Sequence, residues 1–191
     1  MKLSPPSLRY RAFGARMGGL RPGGEFAEAI AAANELGARC VLADRDSVAT
    51  IERVLELLLR SGDPLGALGR LQRLSDEELE PLKQRVLAKR ADEAAAAGDA
   101  ADDEEAPEVI VAVVEEMKRS PAVRERIMAR WRDEVPEIAR ALLAERDFIM
   151  AEAVRRELAN GAGNMCVVVG AGHLPGLQQN LEAMWRGGGP A

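Results

Sequence analysis

The chain has 191 residues, with 31 acidic and 26 basic side chains and a formal net charge of -5. This length is enough for one domain with a buried core, and the negative charge argues against binding to nucleic acid. Aromatic residues make up only 3% of the chain, which argues against surfaces that stack on bases. No apolar run approaches the ~20 residues of a membrane span, so we expect no membrane-spanning helix.

Cysteine usage and the first residues bear on the cellular compartment. Cys40 and Cys166 lie within predicted strands, which indicates buried thiols in a reducing, intracellular environment. No acidic residue precedes Glu25, and an acid-poor, arginine-bearing start is a weak mitochondrial transit signal. The alternative, which we prefer, is that Met1 falls inside a domain to which the basic residues belong. We therefore expect a cytoplasmic or mitochondria-associated protein.

The first predicted elements are a helix and a short strand. The helix covers residues 25–36 and ends at Gly37, a residue typical of helix C-termini. The strand covers residues 39–43 and leads directly into Asp44 and Arg45.

Two further helices and a capping signal follow. Asp46 or Ser47 can cap a helix that ends near Gly62. The Asp63-Pro64 pair begins another short helix, and the segment 75–78 forms a capping box that predicts a further helix start.

Residues 92–108 change character, because alanine-rich sequence gives way to a run of acidic residues. Such a segment cannot bury an apolar face, so we expect a disordered acidic insertion within the domain.

The second half contains helices on both sides of one more strand. Ser120-Pro121 predicts a helix start, and helices are expected at residues 121–132 and 136–158. Asn160-Gly161 is expected to end the second of these helices. An apolar strand at residues 165–169 precedes the last helix, which begins near Pro175.

Many helices and only two convincing strands indicate the fold class. Both strands are short apolar runs, as expected of strands buried on both faces, yet two strands rarely make a stable sheet. The sequence therefore predicts an α/β fold, mostly helical, with a small and incomplete central sheet. If the strands are parallel, Asp44, Arg45 and His173 share the carboxyl edge where ligands bind in open α/β sheets.

The segment from the second strand into the last helix is the most informative part of the sequence. The apolar run ends in Gly170-Ala171-Gly172 and is followed by His173, the only histidine of the chain. Glycines allow a tight turn or close approach of a ligand, and a helix start supplies free N–H groups. The alternative is an ordinary strand-to-helix turn with an exposed histidine.

Two carboxylates are the other candidates. Glu145 lies within an apolar helix face, where it must find a partner or a metal, or stay protonated. Its alternative interpretation is an ion pair with Arg45, while Arg146 flanks this face and Asp147 points nearly opposite, towards solvent. Glu25 follows two glycines in a first helical turn, where the helix dipole alone also favours a carboxylate.

Four segments in this order resemble the TraB/PrgY family. They are Pro22-Gly23-Gly24-Glu25-Phe26, Leu42-Ala43-Asp44-Arg45, Glu145-Arg146-Asp147-Phe148-Ile149-Met150, and Val168-Val169-Gly170-Ala171-Gly172-His173-Leu174-Pro175-Gly176. The family is similar to the Tiki-type metalloproteases, and its own pattern has two Gly-x-x-His motifs and a glutamate.

The resemblance implies roles for these residues. Glu25, Glu145 and His173 would be catalytic, with His173 and Glu25 as metal ligands. Arg45, Arg146, Gly170 and Gly172 would contact the ligand. Gly170-Ala171-Gly172-His173 matches the second Gly-x-x-His, whereas the first is not found. We therefore expect a single TraB-like domain over residues 1–191 that lacks its N-terminal part.

Two functions follow from this resemblance. The first is a metal-dependent hydrolase or peptidase acting on a peptide substrate, incomplete or inactive as it stands, with a divalent metal that this chain alone would not bind tightly. The second is a non-catalytic regulatory or binding module that acts at a membrane or on a signalling peptide. An uncovered sheet edge would also favour self-association.

Overall fold

A computed structural model describes residues 24–97 and 107–187, and within these ranges all regular structure is helical. The helices are α1 (Gly24–Glu35), α2 (Ser47–Arg60), α3 (Pro64–Ala97), α4 (Pro107–Arg119), α5 (Pro121–Glu134), α6 (Pro136–Ala139), a π-helical turn (Arg140–Ala144), α7 (Glu145–Ala159) and α8 (Leu174–Arg186). The predicted α/β fold with a central sheet is therefore wrong for the described part of the chain.

The two predicted strands, residues 39–43 and 165–169, have no regular secondary structure. No backbone hydrogen bond joins them to each other or to another described residue. A strand exists only as a member of a ladder, and a five-residue apolar run does not supply the second member. Self-association was predicted to occur through an uncovered sheet edge, and the described residues form no such edge. Self-association itself stays a prediction.

Helix ends follow the local signals of the sequence. Gly37, Gly62 and Gly161 have φ angles of +64°, +80° and +89°, the left-handed conformation that glycine adopts without strain. Asp46 caps α2, because its carboxylate accepts hydrogen bonds from the N–H groups of Val48 and Ala49. The predicted ends at these positions are confirmed.

Helix α3 is longer than predicted. It runs through the expected helix start at Ser75 without a break and has Pro81 in its interior. Strong helix formers on both sides of Ser75 outweigh the local capping signal. The helix continues to Ala97 and α4 begins at Pro107, so residues 92–97 and 107–108 of the predicted acidic loop are helical. Residues 98–106 of that loop lie outside the described residues.

The chain divides into two compact units. Unit 1 comprises the part up to Cys40 together with Ser75–Arg124, and unit 2 comprises Val41–Leu74 together with the part from Glu125 onward. The core of unit 1 joins α3 to α4 through Leu82, Val86, Val109 and Val113.

Unit 2 has two apolar clusters. One joins α2, α3 and the α5–α6 region, through Leu58, Ala67, Leu74, Val135 and Ile138. The other joins α7 to α8 through Met150, Ala151 and Leu177, and both Ala43 and Val169 pack against it. The ends of the two irregular segments are thereby held at α7. No helix among the described residues is long and apolar enough to cross a membrane.

Candidate functional site

The π-helical turn before α7 changes the backbone around Glu145. The N–H of Glu145 bonds to the carbonyl of Arg140, five residues earlier, and the carbonyl of Ala141 loses its usual helical partner. This carbonyl accepts a hydrogen bond from Arg45 Nη2 at 2.5 Å. The neighbouring carbonyl of Leu142 accepts one from Arg146 Nη1 at 3.0 Å. The π-helical turn therefore helps to hold the side chains of Arg45 and Arg146 in place, and both were predicted to contact the ligand.

Three guanidinium groups surround the carboxylate of Glu145. Its Oε2 accepts from Arg45 at 2.9 Å, and its Oε1 accepts from Arg53 at 2.8 Å and from Arg140 at 3.0 Å. Hydrogen bonds from Arg53, with those from Arg45 and Arg140, outweigh the effect of burial and lower the pKa of Glu145 to about 2. Glu145 is thus ionised and holds the arginine side chains in place. The structure contains the ion pair with Arg45 that was the alternative interpretation of Glu145.

Asp44 and Arg146 form a second, bidentate ion pair. Arg146 Nε donates to Asp44 Oδ1 at 3.0 Å, while Arg146 Nη2 donates to Oδ2. Burial opposes ionisation of Asp44, but the bonds from Arg146 and from the Arg45 N–H lower its pKa overall, with a smaller contribution from the charge of His173. Asp44 keeps 37% of its side chain exposed, so this pair is open to a ligand.

His173 forms a buried pair with Asp147. Its Nδ1 lies 2.7 Å from Asp147 Oδ1, and both side chains are buried. His173 stands at the N-cap of α8, where its side chain makes no capping hydrogen bond. With Nδ1 facing the carboxylate, Nε2 is the ring nitrogen left for another partner, and no described residue makes a hydrogen bond to it.

The Asp147–His173 pair requires a glycine at position 176. A Cβ atom on Gly176 would lie 2.0 Å from Asp147 Oδ2, so only glycine lets the carboxylate reach the first turn of α8. A Cβ on Gly170 would lie 3.6 Å from His173 Cδ2, and one on Gly172 would lie 3.9 Å from Met128 Sδ. The close approach expected at the glycines before the histidine therefore occurs at Gly176 instead.

The expectation that Asp147 faces solvent is wrong. Helix α7 is buried on two sides, and Asp147 lies on the second of them with Met150, Ala151 and Val154. These positions follow the i, i+3, i+4, i+7 spacing of a helix face. That second stripe was the sequence signal that could have found Asp147.

The predicted metal site would have His173 and Glu25 as ligands. Glu25 is exposed in the first turn of α1. Glu145 is occupied by arginines. Within residues 24–97 and 107–187, no three His, Cys, Asp or Glu side chains are grouped so that they could hold a metal ion. A catalytic zinc site normally has three protein ligands, so the described residues do not fit one.

The described residues form a helical protein. In its candidate site, charged side chains of the segment before α2 and of α2 itself pair with side chains of α7, and α7 pairs with the start of α8. The model of the TraB/PrgY/gumN family matches residues 8–188. The chain therefore belongs to this family, and the predicted resemblance is confirmed. In two further comparisons, no curated protein and no solved structure matched the chain.

Proposed function

We propose that this chain is a non-catalytic regulatory module of its family, and that it binds a peptide beside the Asp147–His173 pair. The observation that carries the proposal is the occupancy of Glu145, whose two carboxylate oxygens accept from three arginines. A general base needs a pKa near the working pH, and a metal ligand needs a free lone pair. With a pKa of about 2, Glu145 is suited to holding arginines in place.

A peptide is the favoured ligand because of the backbone next to His173. Residues 165–169 make no backbone hydrogen bond to another described residue, while Val167 and Val168 are about two-fifths exposed. An extended peptide can pair with such a segment through main-chain hydrogen bonds. His173 Nε2 and the Asp44–Arg146 pair would then offer polar contacts to its side chains or terminus.

A metal-dependent hydrolase is the second candidate, and one observation favours it. Histidines that ligate metals usually donate their other ring nitrogen to a carboxylate, as His173 does to Asp147. The described residues supply only this one ligand, which is why we place the hydrolase second.

Metal binding and turnover distinguish the two candidates. The whole chain is dialysed against zinc and analysed for bound metal, and a fluorogenic peptide mixture is assayed with Zn²⁺, Co²⁺ or Mn²⁺. We expect no stoichiometric zinc and no metal-dependent cleavage above that of the His173→Ala variant. Stoichiometric zinc or cleavage that disappears in His173→Ala would establish the hydrolase.

Peptide binding is tested by hydrogen exchange and NMR with a synthetic pool of octapeptides rich in Val, Ile and Thr. We expect slower amide exchange at residues 165–169 and a shift of the imidazole signals of His173, which is the only histidine. The matched control is the same pool with alternate backbone nitrogens methylated, which removes the donors needed for pairing. Equal effects from both pools would contradict recognition through the main chain.

A further inference from the structure

Helix α2 has apolar side chains on two faces. Val54 and Leu58 face the core of unit 2, where Leu58 is only 4% exposed. On the other face lies a row that we name the outer stripe: Val48, Ile51, Leu55 and Leu59, which are 54–73% exposed. Their spacing of three, four and four residues aligns them along the helix over about 16 Å. A single exposed leucine is ordinary, whereas a continuous row is typical of an interaction surface.

The flank of the outer stripe carries an uncompensated negative charge. Glu52 is exposed and lies one helical turn from both Val48 and Leu55. In the part of the chain that the structure describes, it has no hydrogen bond or ion pair. Its neighbour Glu56 differs, because it accepts from Arg53 at 2.7 Å and from Arg60 at 2.8 Å. Glu52 is therefore the available carboxylate beside this row.

We propose that the outer stripe docks a cationic amphipathic helix of a partner protein. Its apolar face would cover Val48, Ile51, Leu55 and Leu59, and a lysine or arginine on its flank would pair with Glu52. This geometry is that of a helix laid against an apolar surface, with charges at the rim that select the partner. The inference does not depend on the proposed peptide site at His173.

Charge argues against two other occupants. In an antiparallel pair with a second copy of α2, the flank with Glu52 and Glu56 would meet the same flank of the other copy. In a parallel pair, Glu52 would meet the flank with Ser47 and Leu58, which offers no cation. A membrane surface is disfavoured because helices that lie on lipid carry Lys and Arg beside their apolar face, and α2 carries glutamates there.

The test uses the whole chain and an 18-residue helical peptide of leucine and lysine as the probe, with binding followed by fluorescence anisotropy. Leu55→Ser and Ile51→Ser should each weaken binding roughly tenfold, since central apolar contacts dominate such interfaces. Leu65→Ser is the matched control, because Leu65 is 81% exposed but lies on α3. It should leave the affinity unchanged.

Charge reversal tests the role of Glu52. Glu52→Lys should abolish binding of the leucine–lysine peptide and allow binding of a leucine–glutamate peptide. Glu28→Lys makes the same change in net charge on exposed α1 and should have neither effect. Equal binding of both peptides to the unaltered chain would overturn the proposal. So would self-association in sedimentation, or adsorption to phosphatidylserine vesicles, that Leu55→Ser removes.

Discussion

Asp147 lies 2.7 Å from His173, carboxylate Oδ1 to imidazole Nδ1, and this contact ties α7 to the start of α8. The other oxygen of the same carboxylate rests against Gly176, in the first turn of α8. A negative charge at that end of a helix is favoured by the helix dipole. One carboxylate thus orients the only histidine and occupies the end of the helix that follows it.

Replacing Gly176 with alanine should break this arrangement. The added Cβ would lie 2.0 Å from Asp147 Oδ2, so either the carboxylate or the helix must move. We expect a loss of about 1–3 kcal/mol in the free energy of unfolding, measured with urea. Gly163→Ala is the control, because nothing lies within 4 Å of its Cβ, and it should change stability by less than about 0.5 kcal/mol. Equal effects of the two substitutions would contradict the close approach.

Asp147→Ala should leave the buried Nδ1 of His173 without its partner. An unsatisfied buried polar group costs about 1–3 kcal/mol, so a comparable loss of unfolding free energy is expected. Long-range ¹H–¹⁵N NMR should show that the proton no longer prefers Nδ1. Asp133→Ala, at an exposed position of α5, is the control for loss of an aspartate. An unchanged imidazole spectrum in Asp147→Ala would rule out the pair in solution.

The arginine-bound Glu145 predicts a particular response to acid. Its pKa falls from 4.5 to about 2 on folding, so its contribution to stability is complete above pH 4.5. That contribution is lost as the pH falls from 4.5 towards 2. Urea unfolding across this range should therefore show a smaller acid-dependent loss for Glu145→Gln than for the unaltered chain. Glu25→Gln, at an exposed position, is the control, and parallel curves for Glu145→Gln would argue against the arginine cluster.

The Asp44–Arg146 pair should show measurable coupling in a double-mutant cycle. Alanine substitutions at the two positions, alone and together, should give a coupling of about 1 kcal/mol, because the pair is bidentate and partly buried. The coupling should fall in 1 M NaCl. A cycle on Glu182 and Arg186, an exposed pair one turn apart on α8, should give coupling near the error of the measurement. Equal coupling in both cycles would mean that the bidentate geometry of Asp44 and Arg146 adds nothing to the coupling free energy.

Several local features could be predicted from the sequence. The ends at Gly37, Gly62 and Gly161 follow from glycine's access to positive φ, and the start of α2 follows from the side chain of Asp46. The sequence also offered the Arg45–Glu145 ion pair as one of two interpretations of Glu145, because a carboxylate on an apolar helix face needs a partner. The structure contains this ion pair.

The other parts of the site depended on contacts that sequence spacing does not contain. Asp147 was misplaced because the argument assumed one buried face on α7, whereas α7 meets the Arg45 region on one side and α8 on another. The π-helical turn at Arg140–Ala144 has no local signal that we recognised, yet it frees the carbonyl that Arg45 uses.

The sequence by itself determined the family, most helix ends and the order of the polar residues, because each depends on short-range chemistry. Tertiary structure alone decided that residues 39–43 and 165–169 form no ladder and that His173 pairs with Asp147. The physical reason is that a strand and a buried charge are both stabilised by their partners. Which groups become partners is decided by packing between residues far apart in the chain.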